Sequence, residues 1–102
     1  MLFSIVIPTY NNAQLLKRAL QSIKIQTGSN FEIIIIDNYS QDNTEEIIKN
    51  SGLKNLKYKK LSNNGIIAKS RNYGFELSAG DWIHFLDSDD TLHKDKIKFL
   101  SE

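Results

Sequence analysis

Four consecutive isoleucines, Ile33 to Ile36, closed by Asp37, restrict what this chain can fold into more than any other feature. A strand with one face in water alternates apolar and polar residues. A strand without that alternation is buried on both faces, as in a parallel sheet covered by helices. The run is the longest uninterrupted aliphatic stretch and falls far short of the ~20 residues that span a membrane. Phe3 to Ile7, rich in β-branched residues, reads as a further strand that stops at Pro8. Leu56 to Leu61 reads as a strand whose lysines 57, 59 and 60 suit a solvated sheet edge. Trp82 to Leu86 is the fourth.

Segments of helical period separate these strands. Leu15, Leu16, Ala19, Leu20 and Ile23 recur at helical spacing behind Asn11 or Asn12 as a cap, with Gly28 as the stop. Asp42 and Glu45 form a D-x-x-E capping box for a helix carrying Ile47 and Ile48, closed by Gly52. A third helix is expected from Asn64-Gly65 to about Ala79-Gly80, and another over 94–100. This β-α-β-α-β-α-β pattern implies right-handed crossovers. The expected fold is α/β: a Rossmann-like, three-layer domain over residues 1–102 with a mostly parallel four-stranded sheet in the order 3-2-1-4.

Length and charge narrow the function. The 102 residues suffice for one domain, and 40% apolar with 25% charged residues suits a soluble globular protein. A net charge of +1 gives no global field for nucleic acid or an anionic membrane. The absence of cysteine excludes disulfides and thiolate metal sites and fits a cytoplasmic location. No transmembrane segment is expected, and the apolar N-terminus lacks the basic start and cleavage site of a signal peptide. The usual NTPase phosphate loop, dinucleotide fingerprint and hydrolase nucleophile elbow are all missing.

In such sheets ligands bind beyond the carboxyl ends of the strands, where the strand order reverses. Thr9-Tyr10, Asp37-Asn38 and Asp87-Ser88-Asp89-Asp90 all stand at such ends. Three carboxylates in four residues repel one another unless a cation relieves them, and magnesium or manganese takes carboxylate and phosphate oxygens. The alternative is that Asp90 caps the following helix while the other carboxylates are solvated. Asp37 could accept hydrogen bonds from a base or ribose, or serve only as a turn residue. The third helix carries Ile67, Gly74, Phe75 and Leu77 on one apolar face, where Gly74 would let it approach the sheet closely. Arg71, four residues from both Ile67 and Phe75, falls on that face. There it needs a nucleotide or an ion pair with Asp37 or Asp87. Thr9 and Tyr10 could offer a hydroxyl and a ring, or merely shape the turn. With His93 the only other histidine, His84 inside the fourth strand reads as structural rather than as a zinc ligand.

These motifs together resemble one family. Phe3-Ser4-Ile5-Val6-Ile7-Pro8-Thr9-Tyr10-Asn11 resembles the opening strand of family 2 glycosyltransferases, which have the GT-A fold. Ile35-Ile36-Asp37-Asn38-Tyr39-Ser40-Gln41-Asp42-Asn43-Thr44 is similar to their V-D-D-G-S-T-D-G-T motif. Asn63-Asn64-Gly65 through Ser70-Arg71-Asn72-Tyr73-Gly74 is similar to N-x-G…A-R-N-x-G. Ala79 to Asp90 resembles A-x-G-x-Y/W-I-x-F-L-D-x-D-D with one residue fewer before the glycine. The resemblance covers essentially the whole chain, with the four motifs in order.

It implies that Thr9, Tyr10, Asp37 and Arg71 hold the uridine of a UDP-sugar, that Asp87 and Ser88 lie near the ribose and diphosphate, and that Asp89 ligates a divalent metal, manganese or magnesium. Asn38 replaces the second acidic residue of V-D-D-G-S, and Tyr39 replaces its glycine. The implied activity is inverting transfer of a sugar to a hydroxyl of a saccharide or lipid-linked acceptor, suited to bacterial surface polysaccharide assembly. The family's general base and acceptor-binding part are expected beyond Glu102, so the chain reads as a truncated GT-A fold that binds donor without completing transfer. Its fourth strand would then expose an edge open to self-association. Two other readings stand beside this one. One is a non-catalytic nucleotide- or sugar-binding module. The other is a phosphoacceptor signalling domain, which needs its acidic pair where Thr9-Tyr10 stand.

Overall fold

The computed structural model describes residues 2–26 and 30–88. Its elements are β1 (Phe3–Thr9), α1 (Ala13–Lys24), β2 (Phe31–Asp37), α2 (Thr44–Lys49), β3 (Leu56–Lys60), α3 (Ile67–Leu77) and β4 (Trp82–Phe85). The sheet runs β3-β2-β1-β4 with every neighbouring pair parallel, as the sequence pattern requires. Gly28, Asp89, Asp90, His93 and the helix expected over 94–100 lie outside the described residues. Among the described residues no helix is long and apolar enough to cross a membrane.

The isoleucine run divides its side chains between two layers. Ile33 and Ile35 join Phe3, Ile5 and Ile7 against Leu16, Ala19, Leu20 and Ile23 of α1 and Ile47 and Ile48 of α2. Ile34 and Ile36 join Val6 on the opposite face, against Tyr73 and Leu77 of α3. All four isoleucines are 0% exposed, each contributing roughly 1.5–3 kcal/mol.

Several local expectations are corrected. β1 does not stop at Pro8 but runs to Thr9. Odd-numbered residues of β1 turn their backbone polar groups to β2, as the bond from Asn38 N–H to Thr9 C=O shows; even-numbered ones face β4, as Leu86 N–H to Val6 C=O shows. The β1–β4 ladder ends at Val6 opposite Phe85, so the N–H that Pro8 lacks would fall past its end. The D-x-x-E capping box does not form either. Asn43 precedes α2 without a side-chain cap bond, and Glu45 pairs with Lys60. The Asp42 carboxylate instead accepts from the Thr44 N–H and hydroxyl and, across the loops, from Ala13 N–H at the start of α1. These bonds, led by the Thr44 hydroxyl, outweigh burial and hold its pKa below the usual value.

The third helix is shorter than expected, because Asn64 and Gly65 have φ of +52° and +80° and form a turn before it. Its buried face differs in part: Gly74 is buried as expected and Ser70 with it, while Ile67 and Phe75 are 53% and 56% exposed. Gly74 allows this, since a Cβ there would intrude on the side chain of Val6 in the central strand. Small residues let α3 ride close to the sheet, with Tyr73 and Leu77 packed on it and Ile67 and Phe75 turned outward.

At the amino ends of the strands, away from the cleft side, Glu32 ties three segments together. Its carboxylate accepts from the Ser4 hydroxyl, from Ala79 N–H (2.6 Å) and from Lys57 Nζ (3.3 Å), while Gly80 N–H donates to Ser4 Oγ (2.9 Å). Burial alone would raise its pKa. The Ser4, Ala79 and Lys57 contacts outweigh that and leave it lowered. A carboxyl whose pKa falls on folding stabilises above its unfolded value, about 4.3, and that contribution is lost as pH drops through the folded pKa. Glu32→Gln should therefore cost about 2 kcal/mol at pH 7 and flatten the acid limb of the stability curve. Urea denaturation of both proteins at pH 7 and below pH 4 checks this; parallel acid limbs would remove Glu32 as the cause.

Candidate functional site

The carboxyl ends of β1, β2 and β4 and the loop leading into α3 enclose a cleft of about 440 Å³. Pro8, Thr9 and Tyr10 form its floor, Asn38, Asn63 and Gly65 one wall, and Ile67 and Arg71 the α3 side; Asn12, Asp87 and Ser88 also line it. Five of the residues singled out from sequence thus meet in one place: Thr9, Tyr10, Arg71, Asp87 and Ser88. Asp89 lies outside the described residues.

Asp37 is not on the lining. It is 1% exposed, and its carboxylate is fully engaged beneath the rim. Oδ1 accepts from Ser40 N–H (3.0 Å) and the Ser40 hydroxyl (2.6 Å), and Oδ2 accepts from the Tyr58 hydroxyl (2.6 Å). Burial, then the bond to Asp37 and its charge, push the Tyr58 pKa well above the ordinary tyrosine value, so its proton stays as the donor. Ser40 Oγ in turn accepts from Asn11 N–H (2.8 Å), and Asn11 Oδ1 accepts from Gln41 N–H (2.8 Å). Asp37 therefore locks the loops after β1 and β2 together, and its neighbour Asn38 reaches the cleft.

The opposite wall is equally constrained. Asn38 Oδ1 accepts from Asn63 N–H (3.0 Å), Asn63 Oδ1 from Gly65 N–H (2.9 Å), and Asn63 Nδ2 donates to Ser70 Oγ on α3 (2.9 Å). Asn12 Nδ2 lies 3.4 Å from Ser88 Oγ and links the start of α1 to the end of β4. Asn12, Asn63 and Gly65 went unnoticed as lining residues in the sequence; only the N-x-G spacing marked the last two.

Arg71 Nη2 donates to Asp87 Oδ1 at 3.0 Å, one of the two ion pairs anticipated. The expectation of a buried arginine is corrected, because the two side chains are 42% and 53% exposed. Such an exposed pair adds little stability, on the order of 0–1 kcal/mol. Two atoms are different: Thr9 Oγ1 and Arg71 Nε are buried, yet neither has a hydrogen-bond partner. Native proteins rarely leave such groups unmatched unless something else satisfies them. Both belong to residues on the same cleft.

The site can also be tested for a divalent cation. Hard cations take oxygen ligands, commonly one or two carboxylates together with substrate phosphates. Asp87 Oδ2 has no partner among the described residues, so a carboxylate oxygen is free at this end of the cleft. His84 is engaged in interactions of its own. The described donors are thus oxygen-only and fit such an ion, although no group of three potential ligands forms among the described residues.

Comparison with known proteins gives consistent relatives. The profile of the family described as glycosyl transferase family 2 matches residues 4–101. The amylovoran biosynthesis glycosyltransferase AmsB of Erwinia amylovora is 40% identical over 102 residues, covering 94% of this chain and 33% of its own length. The poly(ribitol-phosphate) beta-N-acetylglucosaminyltransferase TarP of Staphylococcus aureus is 39% identical over 103 residues, covering 95% of this chain and 31% of its own. The crystal structure of S. aureus TarS in complex with UDP-GlcNAc superposes with a TM-score of 0.90 at 33% identity, covering 99% of this chain and 30% of that one. The chain therefore spans about a third of the length of these relatives.

Proposed function

The chain belongs to glycosyl transferase family 2, and on that premise we propose that its cleft holds the nucleoside diphosphate of a sugar donor, a UDP-sugar. The observation that carries this reading is the pair of unmatched buried atoms, Thr9 Oγ1 and Arg71 Nε, in two residues that line one cleft at the sheet's reversal point. A neighbour of the same fold, TarS, is known in complex with UDP-GlcNAc, which supports uridine diphosphate as the carrier.

In this reading Thr9 and Tyr10 receive the nucleoside, Arg71 hydrogen-bonds it through Nε while anchored to Asp87, and Asp87 and Ser88 border the ribose and diphosphate. Asp37 acts from beneath by fixing the turn that presents Asn38. Asp89, with the free oxygen of Asp87 close by in sequence, would hold magnesium or manganese. Such an ion supplies charge neutralisation for the departing diphosphate. Transfer forms a bond from an acceptor hydroxyl oxygen to the anomeric carbon as the bond to the diphosphate breaks, with inversion, and a general base takes the hydroxyl proton. We place that base and the acceptor-binding part outside these 102 residues, in keeping with the share of each relative that the chain spans. The names of AmsB and TarP favour a saccharide or other surface glycopolymer acceptor.

Calorimetry with UDP is the test. Binding is expected in the micromolar range and at least about tenfold tighter with manganese or magnesium than with chelator, as expected when an ion joins carboxylate to phosphate. Absence of any nucleotide binding would sink the reading; binding indifferent to metal would remove Asp89 from its role.

A further inference from the structure

We infer that Asn38 selects the nucleobase, and that it does so as a hydrogen-bond donor directed at a carbonyl oxygen or an unprotonated ring nitrogen of the base. The inference rests on the nucleotide reading of the same cleft and deepens it.

The direction of the Asn38 amide is set by its partner. Asn63 N–H, 3.0 Å away, can only donate, so the amide oxygen must turn toward it. That leaves the NH₂ end without a partner among the described residues, on a residue that lines the cleft and is only half-buried. A carboxylate at position 38, as in the V-D-D-G-S pattern, would have offered a second acceptor oxygen instead. The neighbouring carboxylate cannot take over that task. Asp37 is 1% exposed, with Oδ1 engaged by Ser40 and Oδ2 by Tyr58, whose raised pKa keeps the phenol protonated.

The Thr9 hydroxyl, also unmatched, belongs to another residue of the same lining and can donate or accept. Asp87, the acidic residue on the lining, follows β4, on the far side of β1 from Asn38. Two strand spacings put it roughly 10 Å away, which suits it to the diphosphate end and not to the base. The Asn38 NH₂ group therefore meets the base with no carboxylate beside it that is open to accept.

Chemistry then predicts which bases it accepts. A carboxylate reads uracil by accepting its N3–H and is repelled by the N3 lone pair of cytosine. An NH₂ group does neither, since both pyrimidines present the O2 carbonyl to a donor and cytosine adds N3. The wild-type protein should hold CDP within about tenfold of UDP, whereas Asn38→Asp should widen the preference for UDP by on the order of tenfold or more. The variant keeps an oxygen for Asn63 N–H, so its melting temperature should change little.

Titrating both proteins with UDP and CDP decides the matter. Equal UDP-to-CDP ratios in the two proteins would overturn the role of Asn38. So would a wild type that already prefers UDP by more than about a hundredfold, a measurement that stands even if the variant does not fold. Binding of no nucleoside diphosphate at all would instead remove the nucleotide reading on which this one rests.

Discussion

Gly74→Val is expected to lower the stability of the domain by about 3 kcal/mol. A Cβ at position 74 would collide with Val6 Cγ1 and stand 3.4 Å from Val6 Cβ and Cγ2. Val6 is fully buried in the central strand and has nowhere to go. The helix would have to lift, breaking the packing of Tyr73 and Leu77 on Val6, Ile34 and Ile36. Leaving glycine for a residue with better helix propensity returns less than about 1 kcal/mol and does not offset this. Gly65→Ala is the control, because its Cβ would meet nothing within 4 Å and only the φ of +80° opposes it. That should cost about 1 kcal/mol. Urea midpoints of the two variants separate close approach from backbone freedom; similar losses in both would mean that α3 relaxes away from Val6.

Arg71→Ala is expected to weaken UDP binding about a hundredfold while changing folding stability by less than about 1 kcal/mol. The Arg71–Asp87 pair is half exposed, so the fold gains little from it. In the proposed site the unmatched Nε meets the nucleotide and the bond to Asp87 orients that carboxylate. Arg71→Lys should not restore affinity, because an ammonium retains the charge without the planar set of donors. Calorimetry alongside thermal melts checks both halves, and a large loss of stability with unchanged affinity would make Arg71 structural.

The parallel sheet covered on both faces was legible because an unbroken apolar run admits few other arrangements. The face of α3 was legible only in part: Gly74 and Leu77 were expected on it and lie there, while Ile67 and Phe75 do not. Ile67, Arg71 and Phe75 form the apolar stripe by hydrophobicity, but the interatomic distance to the sheet decides, and Ser70 and Gly74 win because they are small. Asp37 teaches a related lesson. The alternation that sends Ile33 and Ile35 toward α1 and α2 carries Asp37 to the same side, toward Ser40 and Tyr58, and Asn38 to the cleft. That parity was present in the sequence; motif matching alone passed over it. The contact of Glu32 with Ala79 spans 47 positions, and local sequence carries no sign of it.

The placement of β1 between β2 and β4 also bears on how the chain is made. One edge of β1 finds its partner at residues 31–37, the other only at 82–85. At a synthesis rate of about 5–20 residues per second, the second partner trails the first by roughly 3–10 s. Through that interval the β4-facing groups from Leu2 to Val6 stand bare, an edge on which any extended chain could add. Until Ala79 and Gly80 arrive, Glu32 lacks a donor and Ser4 lacks its closing N–H. Docking of β4 thus comes after that of β2 and β3, and it moves the sheet's open edge off the central strand β1.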